Sequence, residues 1–355
     1  MLISRLEITD LRVLRDLVLV PGPGINFIVG GNGAGKTSIL EGIYLAGRGR
    51  SFRHAESGPL IRVGAGSATV VVHIDRGGDS RPGILGLRRE KSAMVCRLDG
   101  VDLKKRSDLA EALPVLWVGS QPQVFLEQGP DVRRRFLDMG LFHVEHSYLK
   151  IASELQRILR QRNAALRDSD AEMAKVWDRP LQTIADQVGQ ARIRLVEDLM
   201  PRVSDLLSTW LLDFNLDYRY RPGWNTDKPF TEQLTAKLAT DMKMGFTGIG
   251  PQRAELAMFS DGMPVEKNLS RGQQKMLLLA LNLSLLDVVS EKRQSTPVFL
   301  VDDLAAELDE ANRRSVVQSL TERNVQTFLT KIDDRAISAD PFDTRTFHVE
   351  HGALK

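Results

Sequence analysis

Apolar and polar positions change their period twice along this chain. Up to about residue 118, short runs rich in β-branched residues predict strands at Leu2–Ile8, Ile25–Val29 and Ala68–Ile74. Gly77, Gly78 and Pro82 predict an exposed turn between strands. From about 120 to 265 the period becomes helical. Ile151, Leu155, Ile158 and Leu159 recur at helix spacing between Leu149 and Leu166. After Pro180 a second stripe follows, made of Leu181, Ile184, Val188, Ala191, Leu195 and Leu199. Pro180 and Pro201 are expected to interrupt the helix, leaving too few heptads for a coiled-coil rod. Phe214, Leu216, Tyr218 and Tyr220 alternate with polar residues and predict a strand or hairpin. The remainder predicts a helix at Met276–Val289, a strand at Val298–Val301, a helix at Ala311–Arg323 and a strand at Thr327–Thr330.

This texture divides the chain into an α/β part at 1–118, a mostly helical lobe at 119–265, and a return to α/β at 266–355. There is no internal repeat or low-complexity tract. The 355 residues are 42% apolar, enough for a large core, and the net charge of +2 excludes a histone-like polybasic protein. A small net charge still leaves room for a basic groove, and basic residues cluster at Arg48/Arg50/Arg53, Lys104/Lys105/Arg106 and Arg133/Arg134/Arg135. Each cluster, taken singly, is a solvated face. Cys96 is the only cysteine, so no internal disulfide forms and a reducing cytosol fits. The first residues lack the apolar core of a signal peptide. The greasiest stretch, Met276 to Val289, is broken by Asn282, Ser284 and Asp287 and is too short to cross a bilayer. No membrane partner is expected.

Chemistry enters at Gly30-Gly31-Asn32-Gly33-Ala34-Gly35-Lys36-Thr37, which matches G-x-x-x-x-G-K-[ST] at every fixed position. It follows the strand Ile25–Val29 and opens a helix near Ser38. Glycines let the backbone curl so that successive N–H groups face phosphate oxygens. The helix start adds its positive dipole end. Lys36 is placed to reach the β- and γ-phosphates of ATP, and the Thr37 hydroxyl to bind Mg²⁺. A second half-site is Val298–Val301 followed by Asp302 and Asp303. A buried parallel strand is a continuous apolar run, and ligands bind at the carboxyl ends of such strands. Asp302 is expected to hold Mg²⁺, and Asp303 to act on the attacking water as a base or orienting group.

A phosphate loop alone says only nucleotide. Leu269-Ser270-Arg271-Gly272-Gln273-Gln274 narrows the class, because it resembles the LSGGQ signature of ABC ATPases with Arg271 in a glycine position. Ser270 and Gln273 also form a capping box, so a helix starts there. Ala306-Glu307-Leu308-Asp309 stands where that class has its D-loop. Gln121 falls near the expected metal- and water-sensing glutamine, and Thr330 stands where transporters carry the switch histidine.

Several stretches resemble the RecF family in particular. They are Leu6 to Arg12, Ser38 to Leu45 with Gly49 to Arg53, Arg133-Arg134-Arg135-Phe136-Leu137-Asp138, and Asp302 to Asp309. The similarity runs essentially end to end. Departures occur at Gly119-Ser120-Gln121, where many members have Pro-Glu, and at Gly250 to Leu256, which lacks the family's histidine. The resemblance implies an ABC-type P-loop ATPase head with a mixed sheet, a mostly helical second lobe and no long coiled coil. It implies a weak, DNA-stimulated ATPase used as a dimerisation switch. Two copies would pair head to tail, with Ser270, Gly272 and Gln273 of one facing ATP on Lys36 of the other. It further implies binding to single-stranded DNA and to single-strand/double-strand junctions, and cooperation with RecR and RecO in loading RecA. Roles in the SOS response and replication restart follow from the same resemblance.

Three rivals remain in view. An ABC transporter subunit is disfavoured by the long insertion before the signature and the missing switch histidine. A structural SMC-like cohesion protein lacks its coiled coil here, and a small-molecule kinase leaves Leu269–Gln274 and Asp303 unexplained together.

Overall fold

The structure is a computed structural model and describes residues 1–53, 59–77, 82–145, 147–293, 296–304, 307–332 and 344–355. Two compact units divide the chain, residues 1–121 with 278–355, and residues 122–277. The sequence pattern places these boundaries at 118/119 and 265/266. The second falls instead within a helix, because the apolar stretch around Met276–Val289 belongs to one continuous helix, Arg271–Arg293.

The first unit carries strands β1 (Leu2–Leu11), β2 (Leu14–Leu19), β3 (Ile25–Val29), β4 (Ser67–Asp75), β5 (Gly83–Glu90), β6 (Met94–Leu98), β7 (Val101–Asp102) and β8 (Val115–Val118). It also holds β12 (Val298–Val301), β13 (Thr327–Lys331), β14 (Thr344–Glu350) and β15 (Ala353–Leu354), with helices α1 (Lys36–Arg48), α2 (Arg106–Ala112) and α11 (Glu310–Glu322). One sheet is antiparallel in the order β2-β1-β4-β5-β6-β7. Its strands alternate, as in β4, where Ala68, Val70, Val72 and Ile74 are buried and their neighbours are not. That period puts one face on the core and one in water.

The other sheet has the order β15-β14-β3-β13-β12-β8, with parallel pairing from β14 through β8. β3, β12 and β13 are buried at every position, as strands covered on both faces must be. α1 contacts strands of both sheets, and its Ile39, Leu40, Ile43 and Leu45 join the common core. The turn predicted around residue 78 lies partly outside the described residues.

The second unit holds helices α3 (Pro122–Glu127), α4 (Pro130–Val144), α5 (Tyr148–Arg167), α6 (Ala171–Val176), α7 (Asp178–Thr209), α8 (Phe230–Met244) and α9 (Val265–Asn268). A small antiparallel sheet adds β9 (Asp217–Arg221), β10 (Glu255–Ser260) and β11 (Met263–Pro264), and the unit ends within α10 (Arg271–Arg293), whose residues from Leu278 onward belong to the first unit. The expected interruptions at Pro180 and Pro201 do not occur, and α7 runs unbroken for 32 residues. Pro180 is its third residue, where the missing N–H has no intrahelical partner to lose. Pro201 forfeits one ladder bond, but Leu199, Met200 and Val203 around it are fully buried and hold the turn. The long helix packs against α4, α5 and α8 within the lobe, so its length makes no rod. Phe214 and Leu216 precede β9, because the backbone pairs with β10 only from Asp217 onward.

Ion pairs, one of them buried, tie the elements of the lobe together. Arg162, fully buried on α5, donates to Asp178 of α7 at 2.9 Å, to Asp241 of α8 at 3.0 Å and to Thr247 at 2.9 Å. Arg192 donates to both carboxylate oxygens of Asp138 and to the Pro251 carbonyl. Removing one member of the buried Arg162 cluster would leave a charge uncompensated.

Candidate nucleotide site

Residues 30–35 form the loop between β3 and α1. Gly33 (φ 78°) and Gly35 (φ 115°) have left-handed backbone. A side chain on Gly35 would also meet Leu14 at 2.8 Å, and one on Gly30 would meet the Val349 carbonyl oxygen at 2.2 Å. At Gly31 and Gly33 a Cβ would meet nothing within 4 Å. Two glycines are therefore dictated by what stands behind the loop, and the other two border open space, which is the form of a cradle. The support behind is β14 and the turn after it. β14 pairs with β3, and the Gly352 N–H donates to the Ala34 carbonyl at 2.9 Å.

Gly35 precedes α1 as its N-terminal cap and offers no side-chain hydrogen bond. The first N–H groups of a helix lack intrahelical partners and carry its positive end, which suits a phosphate. The Lys36 ammonium donates to the carbonyls of Gly30 (2.7 Å) and Gly31 (2.9 Å), folded back along the loop. Burial pulls its pKa below the ordinary lysine value, against the opposing pull of the Asp303 and Asp302 carboxylates.

Register brings the carboxylates to the same place. β12 pairs with β13 so that Val301 stands beside Leu329, and the next residues, Asp302 and Thr330, meet. Asp302 Oδ1 accepts from the Thr37 hydroxyl at 3.0 Å and from the Thr330 hydroxyl at 2.8 Å. The Asp303 N–H donates to the Thr330 oxygen at 2.7 Å. A cavity of about 270 Å³ is lined by Asn32 to Ser38, Val13, Arg53, Ser120, Asp302, Asp303, Thr330 and Ile332, all of the first unit. A larger cavity of about 400 Å³, beside α7 in the second unit, holds no phosphate loop, and the sequence motifs line the smaller one.

The donor set fits Mg²⁺. Thr37 and Asp302 present hard oxygens side by side, and Mg²⁺ takes one or two protein oxygens with the rest from phosphate and water. Among the described residues no cluster of three or more His, Cys, Asp or Glu competes for that role.

Of the other residues singled out in the sequence, Gln121 is exposed and does not line the cavity, whereas its neighbour Ser120 does. Ser270, Gly272 and Gln273 belong to the second unit, at the start of α10. Both halves of the capping box are made there: the Ser270 N–H donates to Gln273 Oε1 at 2.9 Å, and the Gln273 N–H donates to the Ser270 hydroxyl at 3.3 Å. Ser270 itself is exposed. Ala306 of the expected D-loop lies outside the described residues, and Asp309 caps α11 by accepting from the Asn312 N–H.

Arg53, which the sequence pattern places only in a basic cluster, is a residue of this cavity. It lies 3.6 Å from Glu41, a fully buried carboxylate on α1 that also accepts from Ser51 and Arg12. The available signal was an acid at position 41 in an otherwise apolar stretch of helix. Arg133 and Arg134, in contrast, are structural rather than a solvated face. Arg133 pairs with Glu255 and donates to the Leu126 carbonyl, and Arg134 donates to the Ala254 carbonyl. Arg50, Lys104, Lys105 and Arg106 remain exposed.

Phosphate loop first, a long insertion, a capped signature-like helix, then two carboxylates on the parallel strand: in this order and on this sheet, the parts are those of an ABC-type ATPase head. The model of the RecF/RecN/SMC N-terminal domain matches residues 2–354, and the chain belongs to that family. It is 36% identical to the DNA replication and repair protein RecF of Thioalkalivibrio sulfidiphilus, over 100% of this chain and 99% of that protein. It is 37% identical to the RecF of Pseudomonas aeruginosa, over 100% and 97%. Among solved structures, the fold matches the recombination mediator protein RecF with ATP, of the RecFOR pathway, at a TM-score of 0.86 and 22% identity, covering 99% of this chain and 96% of that one. An Smc head from Pyrococcus furiosus with an extended coiled coil matches at 0.60 and 17%, covering 99% and 95%. No helix among the described residues is long and apolar enough to cross a membrane.

Proposed function

We propose that this chain is an ATP-dependent DNA-binding protein of recombinational repair, working as a dimer that ATP closes and hydrolysis opens. The observation that carries the reading is the meeting of Lys36, Thr37, Asp302 and Asp303 in one cavity, on a chain whose full-length relatives are named for DNA replication and repair.

In this reading the loop N–H groups and Lys36 hold the phosphates, and Thr37 with Asp302 holds Mg²⁺. Bound Mg²⁺ neutralises charge on the β- and γ-phosphate oxygens. Asp303 orients or deprotonates the attacking water. Arg53, held by Glu41, adds a second cation to the phosphate end. Ser270, Gly272 and Gln273 close the site of a second copy, where an exposed helix start meets the γ-phosphate. Gln121 joins the site on closure. Turnover is weak, stimulated by DNA, and serves release. The dimer grips single-stranded DNA and single-strand/double-strand junctions through exposed groups such as Arg50 and Lys104 to Arg106. RecR and RecO act with it to load RecA, in the cytoplasm, during the SOS response and replication restart.

The test is DNA binding and oligomer size, each measured with and without ATP. Junction-selective binding by an ATP-induced dimer is expected, with log K falling against log salt by roughly 0.9 per contacted phosphate on duplex. ATP-independent, salt-insensitive binding by a monomer contradicts the proposal.

A further inference from the structure

Thr330 occupies a place that its chemistry does not explain by contact with a nucleotide alone. It is 1% exposed, at the penultimate position of β13. Its one hydroxyl makes two bonds of opposite sense. The oxygen accepts from the Asp303 N–H at 2.7 Å, and the hydrogen goes to Asp302 Oδ1 at 2.8 Å. A hydroxyl has one donor and two acceptor sites, so both bonds form together. Its main chain adds a third tie, the carbonyl accepting from the Leu304 N–H at 3.4 Å.

Both carboxylate residues need such support. Asp303 has left-handed backbone, φ 53°, a conformation that costs free energy for a residue with a side chain and persists only where its surroundings hold it. Asp302 Oδ1 takes hydroxyl hydrogens from Thr37 as well as Thr330. A hydroxyl that faces a cation with a lone pair can still donate its hydrogen, so Thr37 and Thr330 are two donors on one carboxylate oxygen, and Thr330 is the one outside the phosphate loop.

We propose that Thr330 is a positioning residue. Its hydroxyl fixes the left-handed turn that aims Asp303 and orients the Asp302 carboxylate through Oδ1, so that one side chain sets both carboxylates before nucleotide arrives. The inference rests on the ATPase reading for its consequence and on hydrogen bonds of this chain for its cause.

The test uses the full chain with Thr330→Val, which keeps the shape and removes the hydroxyl, and Thr330→Ser, which keeps the hydroxyl. In the nucleotide-free protein, amide exchange at Asp303 should be about tenfold faster in T330V, with the rest of β12 unchanged and T330S near wild type. Mg²⁺ titrated in the presence of a non-hydrolysable ATP analogue should bind about 10- to 100-fold more weakly to T330V, with metal-free nucleotide affinity preserved. The kcat for ATP should fall in the same range while KM holds. Wild-type exchange at Asp303 in T330V, or Mg²⁺ affinity within about twofold of wild type, overturns the proposal. A wild-type chain that binds no nucleotide instead overturns the ATPase reading, and the exchange measurement still decides on Thr330. If T330V unfolds, T330A against T330S still separates loss of the hydroxyl from loss of the methyl.

Discussion

Glu41 has no exposed surface, and the guanidinium of Arg12 donates to its carboxylate at 2.8 Å. The pair joins the turn after β1 to the helix that follows the phosphate loop, and Ser51 and Arg53 gather on the same carboxylate. Removing one member of a buried pair leaves the other charge without compensation, at a cost of about 3–5 kcal/mol. Glu41→Ala is expected to destabilise the chain by that order in denaturant unfolding, and to weaken ATP binding because Arg53 loses its anchor. Glu41→Gln keeps hydrogen-bond acceptors and should lose less. Equal stability of E41A and wild type would show that the pair is not structural.

Asp303→Asn is expected to bind ATP as wild type does and to hydrolyse it about 10²- to 10⁴-fold more slowly, the range for a positioned acid–base group. The mutant dimer should then outlive the wild-type dimer in sedimentation with ATP and Mg²⁺. A mutant dimer as short-lived as the wild type speaks against Asp303 in this role.

Lys36→Ala and Ser270→Arg should each abolish hydrolysis alone and recover it when mixed. The first removes the phosphate contact, and the second puts a bulky cation on the exposed helix start. In a heterodimer both defects fall into one site and leave the other whole. Random exchange gives about half heterodimers, so roughly a quarter of wild-type activity is the ceiling. Size-exclusion with ATP confirms that heterodimers form. Wild-type turnover by monomers refutes the shared site.

The lowered pKa of Lys36 gives a pH dependence with a definite sign. Only the protonated amine attracts phosphate, so affinity is full below that pKa and falls as pH rises through it. Because burial lowers the value, the fall should begin below the usual lysine pKa of about 10.4. Titrating ATP affinity between about pH 7 and 10 reads this, with Lys36→Arg as the control that keeps its charge. Affinity constant across that range in wild type is the adverse result.

Sequence reading works where a residue's own chemistry dictates its surroundings. Ile25–Val29 and Val298–Val301 appear as strands with the same limits in sequence and structure, because a run of apolar residues between polar ends suits little else. The phosphate loop is legible because its glycines and lysine answer to a ligand. Thr330 beside Asp302 is not, since 28 residues separate them and only the β12–β13 register makes them meet. The same holds for Arg133 with Glu255, separated by 122 positions. A local run of arginines looks solvated until its partners arrive from the far end of the lobe. Pro201 misleads for the converse reason, because a local rule for helix ends is overridden by burial of the apolar residues around it.

The carbonyl of Val349 against Gly30 and the N–H of Gly352 on Ala34 have a consequence in time. A ribosome makes the phosphate loop more than 300 residues before the strand and turn that back it. A nascent chain can carry every residue that touches phosphate and still lack the wall against which the loop is shaped. The finished shape of the phosphate loop therefore depends on a chain made through Gly352.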